Sequence, residues 1–174
     1  MSARTLLKVA PLLAFLALGL AACGFTPLYA KRNGDVTASL ANVSVEAPDT
    51  KLGRTLKYDL IDNLQEAGAA SSGAPQYVVK LSPQTYEEDV AIQQDASVTR
   101  RNVVLLVNFT LVRQDEDKPL LKSVARSRTS YNRVDSEFAN IVASQDGLDR
   151  STKMVADDIK LQLGIYFDRL ASAK

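Results

Sequence analysis

The sequence contains no histidine and no tryptophan, and its only cysteine is Cys23. Without histidine the chain cannot build a His-based catalytic triad, a general base tuned near neutral pH by imidazole, or a His-containing zinc site. With one cysteine it cannot form an internal disulfide, so its stability must come from packing. These absences exclude several common routes to hydrolytic and metal-dependent catalysis.

Other catalytic motifs are missing as well. The sequence has no glycine-rich phosphate loop, no EF-hand and no Gly-x-Ser-x-Gly elbow. Acidic residues cluster at 87–89 and 157–158, but adjacent side chains on a strand point to opposite faces, and on a helix they diverge by about 100°. Neither cluster can converge on one substrate atom, so we interpret both as solvated surface. We expect no enzyme activity, no metal and no cofactor.

Residues 1–22 have the layout of a secretory signal peptide. Arg4 and Lys8 precede an apolar run from Val9 to Leu20, and small residues follow it. The run has about a dozen residues, short of the roughly 20 that a membrane-spanning helix needs, so we predict cleavage. Loss of Arg4 and Lys8 takes the formal net charge from +1 to about −1. The overall charge therefore does not indicate binding to nucleic acid.

The junction Leu20-Ala21-Ala22-Cys23 resembles the bacterial lipobox. That resemblance implies cleavage before Cys23, a diacylglyceryl group on its thiol and a third acyl chain, such as palmitate, on the new amino group. Stable anchoring needs at least two chains, so three would hold the protein on a membrane. The alternatives are a chance cysteine beside the cleavage site and a buried free thiol. Gly24 stands where inner-membrane lipoproteins typically carry Asp, which favours export to the outer membrane.

Residues Cys23-Gly24-Phe25-Thr26-Pro27-Leu28-Tyr29 resemble the mature start, Cys-Gly-Phe-x-Pro-Leu-Tyr, of the LPS-assembly lipoprotein family (LptE type). The resemblance implies a lipid-anchored protein on the periplasmic side of the outer membrane. Such a protein would bind the LPS-assembly β-barrel as a plug, assist barrel assembly and help insert lipopolysaccharide into the outer leaflet. The barrel, lipopolysaccharide and the membrane are then the expected partners. The alternative is a generic lipid-anchored periplasmic scaffold, or an auxiliary subunit of another lipid-transport or outer-membrane assembly complex.

We predict that residues 23–40 form a lipidated tether, with a loop or linker at 30–40, and that residues 41–174 form a single domain. Alternating apolar residues predict strands at 43–46, 77–82, 103–112 and 120–133, and for the second strand the alternatives are an end at Pro83 or a continuation to Ile92. Leucines at every fourth position predict an amphipathic helix over 50–67, with Asp49 or Thr50 as N-cap and Gly68 as stop. The last quarter is helical, but Gly147 leaves open whether 136–172 is one helix or two.

The predicted order is strand-helix-strand-strand-strand-helix. It indicates an α/β (α+β) two-layer sandwich, with one four-stranded, mostly antiparallel sheet and two helices on one face. The resemblance implies the same architecture. The strand at 103–112 is apolar on both faces at its start, so we expect it to be central and covered on both sides there. Pro83 cannot donate to a ladder and indicates a bulge or an edge.

Basic residues concentrate on the third and fourth predicted strands. If the two strands form a hairpin in which the numbers of paired residues add up to about 232, these residues lie on neighbouring strands. Most of them then point to the face away from the helices. Alternation directs Arg101 to the other face unless the strand end is irregular. Ordinary solvated cations are one interpretation. The other is an anion site for lipopolysaccharide phosphates, which suit the bidentate donors of arginine. The candidate lipopolysaccharide-binding residues are Arg100, Arg101, Lys122, Arg126 and Arg128.

Replacing Cys23 with serine tests the lipid anchor. We expect Cys23→Ser to remain uncleaved or to become soluble, while folding normally because no intramolecular bond uses this thiol. The measurement is membrane fractionation combined with a mass determination of the mature protein. Full partition of the processed variant with outer membranes, in cells without the barrel partner, would show that lipid is not what holds it.

Overall fold

A computed structural model describes residues 34–66, 73–92 and 98–173. Its helices are α1 (Gly34–Ala41), α2 (Lys51–Glu66) and α3 (Glu137–Ser172), and its strands are β1 (Val43–Glu46), β2 (Tyr77–Ile92), β3 (Val98–Arg113) and β4 (Pro119–Asn132). The strands form one sheet in the order β1-β2-β3-β4, in which β1 is parallel to β2 and the other neighbours are antiparallel. The predicted α+β architecture with a mostly antiparallel sheet is confirmed, and α1 is an addition to it.

Helix α1 corrects the prediction of a loop or linker at 30–40. From Gly34 onward that stretch is helical, and Val36 and Leu40 are only 1% and 0% exposed. A spacing of four residues puts both side chains on one helix face. They join the apolar core that α2, α3 and the sheet share. The folded domain therefore begins inside the segment predicted to be a tether; residues 1–33, with Cys23, lie outside the described residues.

Helix α2 begins as the capping signals predict. The Thr50 side-chain oxygen accepts a hydrogen bond from the backbone N–H of Gly53 at 3.0 Å, which makes Thr50 the N-cap. Gly53 permits a close approach here, because a Cβ at this position would overlap the carbonyl oxygen of Pro48. The predicted leucine face is buried at Leu56, Leu60 and Leu64. The predicted stop at Gly68 lies outside the described residues.

Helix α3 is continuous through Gly147, which settles the choice between one helix and two. Ser136 caps it by accepting a hydrogen bond from the N–H of Ala139. Gly147 is buried directly over the sheet, where the nearest side-chain atoms belong to Val103 and Thr129. Within the ranges that the structure describes, no helix combines the length and the apolar character needed to cross a membrane.

Strand β3 is the centre of the core. Leu105, Val107, Phe109 and Leu111 point toward the helices and are at most 2% exposed. Val103 and Val104, at the start of the predicted strand and five and six residues into β3, are both buried, which confirms the predicted cover on both faces. The β3–β4 hairpin pairs Val104 with Arg128 and has the predicted sum of 232 from Arg100 to Leu111.

Pro83 lies at an edge of the sheet. Strand β1 pairs only with Tyr77–Lys80 of β2, so the rest of β2 has β3 as its one strand neighbour among the described residues. Pro83 sits in regular register opposite Val107, and the β2 irregularity comes later, near Asp89. Of the two predictions for Pro83, the edge is therefore correct and the bulge is not. Proline has no backbone N–H, and at an edge no second strand requires that donor.

Truncating a buried leucine tests the position of the core. Leu105→Ala removes a side chain that is 0% exposed, so we expect unfolding to become easier by about 2–4 kcal/mol from lost transfer energy and the cavity left behind. The matched control is Leu161→Ala on α3, where the side chain is 46% exposed and a change within about 0.5 kcal/mol is expected. Equal urea midpoints for the two variants would contradict this assignment.

Tyr166 makes stability sensitive to alkaline pH. Burial raises the pKa of its hydroxyl, and Tyr77 nearby adds to the rise while Arg113 opposes it. The folded state therefore holds this proton more tightly than the unfolded chain, and the resulting stabilisation is present below the unfolded pKa of about 10 and lost as pH rises through the folded value. We expect Tyr166→Phe to flatten the fall of unfolding free energy above pH 10. Tyr58→Phe, at an exposed site, should leave the curve unchanged.

Candidate functional site

One face of the sheet carries none of the helices of the described residues, and β4 presents its cations there. Ala125 and Ser127 of β4 are buried toward α3, where Ser127 donates a hydrogen bond to the Ser151 carbonyl at 3.3 Å. Alternation then directs the intervening side chains away from the helices, as predicted. We call this surface the open face; on β4 it consists of Lys122, Val124, Arg126, Arg128 and Ser130.

Arg126 and Arg128 reach across β3 toward β2. The Arg128 guanidinium lies 3.0 Å from the Glu88 carboxylate, and Arg126 donates to the Tyr86 hydroxyl at 3.5 Å. Both side chains remain exposed. Among the ion pairs of the described residues none involves Arg126, so its charge is available to a ligand, whereas the charge of Arg128 is partly balanced.

The other open-face cations stand apart from this pair. Lys122 is opposite Thr110, and Arg100 is opposite Asn132. At about 3.3 Å per residue, each is about 13 Å along the sheet from the nearer arginine of the pair. The structure therefore brings Arg126 and Arg128 together and leaves Lys122 and Arg100 on the same face but at separate positions.

Arg101 does not belong to the open face. Strand β3 alternates regularly at this point, while the register irregularity lies in β2, so Arg101 points to the helix side. Its Nε donates to Asp89 at 2.6 Å and its Nη1 lies 3.3 Å from Glu87. The hydrogen bond with Asp89 raises the pKa of the guanidinium, which stays charged. A single anion-binding surface that includes Arg101 is thus not formed.

The acidic cluster at 87–89 divides between the two faces. Glu88 pairs with Arg128 on the open face, while Glu87 and Asp89 pair with Arg101 on the helix side. This is the divergence that strand alternation predicts. Within the described ranges, no set of three or more acidic, histidine or cysteine side chains is arranged to hold a metal ion.

Sequence analysis missed a polar pocket at one end of the sheet. It has a volume of about 270 Å³ and lies between the ends of β2, β3 and β4 and the first turns of α3. Glu87 organises it by accepting hydrogen bonds from Ser144 at 2.6 Å and from Tyr131 at 3.2 Å, besides its contact with Arg101. We call this the end pocket; its lining residues are Glu87, Arg101, Tyr131, Arg133, Glu137, Asn140, Ile141, Ser144 and Gln145.

Asn140 fixes the connection that forms one wall of the end pocket. Its side-chain amide donates to the carbonyl of Val134 and accepts from the N–H of Val134, each at 2.9 Å. The turn between β4 and α3 is thereby clamped to the helix. The one sign of this pocket in the sequence is the strand alternation that places Arg101 and Glu87 on the same side of the sheet. These two residues form part of a pocket only because α3 packs over that side.

A family model described as "LptE: Lipopolysaccharide-assembly" matches residues 40–163, well over half of the chain. The match covers α2, the whole sheet and most of α3. No curated protein matches the sequence significantly.

Solved structures share the fold at low sequence identity. A protein from Caulobacter crescentus CB15 described as a lipoprotein has a TM-score of 0.61 and 22% identity, covering 78% of this chain and 97% of its own. The rare lipoprotein B from Shewanella oneidensis gives 0.58 and 15%, covering 74% and 98%. A minor lipoprotein from Acinetobacter baumannii gives 0.58 and 16%, covering 71% and 90%. At these identities the likeness establishes the fold.

Proposed function

Because the chain belongs to the lipopolysaccharide-assembly (LptE) family, we propose that it acts as a lipid-anchored plug of the LPS-assembly β-barrel in the outer membrane. In this role it assists assembly of the barrel and helps insert lipopolysaccharide into the outer leaflet. The observation that carries the proposal is the family match, which extends across the folded domain. The proposed role involves no catalysis and no cofactor other than the covalent lipid.

The proposed anchor is Cys23, on the periplasmic side of the membrane. The lipobox-like junction at 20–23 supports it, and so do the printed descriptions of the structural relatives from Shewanella and Acinetobacter as lipoproteins. Three acyl chains on one residue would hold the protein without a spanning helix.

The open face supports contact with a barrel interior. Beside its cations it presents the polar residues Ser82, Gln84 and Asn108, all exposed, together with the exposed side chains of Tyr86 and Val124. The lumen of an outer-membrane barrel is itself polar, so the polar and charged side chains of this surface are suited to face it.

Arg126 and Arg128 are the proposed contact with lipopolysaccharide phosphate. Two guanidinium groups lie side by side on an exposed surface, one of them without a carboxylate partner among the described residues. Charge-assisted hydrogen bonds from arginine to phosphate are among the stronger polar contacts. Lys122 and Arg100, on the same face, would add longer-range attraction only.

Co-purification tests the function directly. The full-length protein, expressed with its own signal, is extracted from outer membranes in mild detergent and its partners are identified by mass spectrometry. We expect one integral β-barrel protein at roughly equal stoichiometry. Recovery without a barrel, or with a soluble periplasmic complex instead, would favour the general scaffold role and overturn the proposal.

Charge reversal tests the phosphate contact. The double variant Arg126→Glu/Arg128→Glu should weaken lipopolysaccharide binding more than about tenfold, about 1.4 kcal/mol or more, while the barrel still co-purifies. Binding by the unmodified protein should also weaken with salt, because screening shortens the reach of exposed charges. The control Arg150→Glu/Arg169→Glu makes the same change in net charge at two exposed positions of α3. Equal losses in both variants would show that only overall charge matters.

A further inference from the structure

We propose that the end pocket binds an uncharged, hydroxyl-rich ligand, namely one saccharide ring. The inference rests on the proposed function for the source of that ring, which would be a sugar of the lipopolysaccharide core. It concerns a site distinct from Arg126 and Arg128, on the opposite side of the sheet.

The charges of the end pocket argue against an ionic ligand. Arg101 lies between Glu87 and Asp89, and Arg133 lies 3.8 Å from Glu137. Each cation already faces at least one carboxylate. A phosphate would therefore meet acidic groups beside every guanidinium, and a cation would meet guanidinium groups beside every carboxylate.

The same arrangement suits hydroxyl groups. A sugar hydroxyl both donates and accepts, so it can bridge a carboxylate and a guanidinium that stand next to each other. Hydrogen bonds to charged groups are stronger than neutral ones, which helps an uncharged ligand compete with water. Gln145 adds an exposed amide that makes no hydrogen bond within the described residues and offers both a donor and an acceptor.

The walls of the end pocket are held in place before any ligand arrives. Glu87 is fixed by Ser144, Tyr131 and Arg101, which belong to α3, β4 and β3. Asn140 clamps the β4–α3 turn through two hydrogen bonds to Val134. A pre-organised site loses less conformational entropy on binding, so a small ligand can be held with few contacts.

An apolar rim lies beside the polar walls. Ile141 lines the pocket, and Phe138, one turn earlier on the same side of α3, is 77% exposed. The carbon–hydrogen face of a sugar ring packs against such side chains while its hydroxyls turn to the polar wall.

The size of the end pocket suits one sugar ring. Its volume of about 270 Å³ is just below the roughly 300 Å³ at which pockets for drug-sized ligands begin. Further sugars of an oligosaccharide would extend into solvent or along the apolar rim.

Saturation-transfer NMR on the full chain in detergent tests the inference. The probes are dephosphorylated lipopolysaccharide core oligosaccharide, its component monosaccharides, and inorganic phosphate as a competitor. We expect saturation transfer from the protein to the core oligosaccharide, unaffected by phosphate. Absence of transfer, or displacement by phosphate, would overturn the proposal.

Variants locate the binding. The single variant Gln145→Ala should reduce the saturation-transfer signal. The double variant Glu87→Gln/Gln145→Ala should reduce it at least fivefold. The matched control Gln84→Ala changes an exposed glutamine on the open face and should leave the signal unchanged. Because Gln145 is exposed, its loss should not affect folding, which circular dichroism checks. An unchanged signal in Gln145→Ala and in the double variant would place any saccharide binding elsewhere.

Two further comparisons separate the source of the sugar and the proposed function. Binding of monosaccharides that occur in the lipopolysaccharide core at least tenfold tighter than sugars absent from it supports lipopolysaccharide as the source, and equal binding of both kinds overturns that assignment. Barrel co-purification is measured on the same Gln145→Ala protein and should be retained. Saccharide binding without a barrel partner would overturn the proposed function but not the saccharide site. A barrel partner without saccharide binding would overturn the saccharide site but not the proposed function.

Discussion

The burial of one face of β3 against the helices is the constraint on which the rest of the structure depends. Leu105, Val107, Phe109 and Leu111 alternate along the strand and meet α2 and α3 in the core. Since a strand has a side-chain period of two, this burial also decides where every intervening residue points. The polar character of the open face and the composition of the end pocket both follow from it.

The same constraint gives the two faces different chemistry from one stretch of sequence. Consecutive residues Arg100 and Arg101 separate onto opposite sides, as do Glu87 and Glu88. On the open face the result is an exposed surface on which Arg126 has no carboxylate partner among the described residues. On the helix side, next to α3, each guanidinium meets a carboxylate. Neighbouring strands with alternating charged residues can therefore form two chemically different surfaces, one on each face of the same sheet.

Strand positions and the hairpin register could be predicted from the sequence because they depend on local alternation and on turn residues. The sum of 232 is an example, and so is the placement of Arg101 away from the open face. Helix α1 could not, because two apolar residues four apart in a short polar stretch give too little periodicity to separate a helix from a loop. The end pocket could not either, since its walls come from β2, β3, β4 and α3, and no local pattern states which residues a distant helix will cover.

Helix α1 also determines how the domain responds to a pull on its N-terminus. Asn42, directly after α1, accepts hydrogen bonds from the backbone of Gln76 and Tyr77, and the Tyr77 ring lies 5.1 Å from that of Phe167 near the end of α3. Asn140, at the other end of α3, is about 40 Å away along the helix axis. A pull applied at Gly34 is therefore opposed first by the burial of Val36 and Leu40, and α3 spans the distance between that end of the domain and the end pocket.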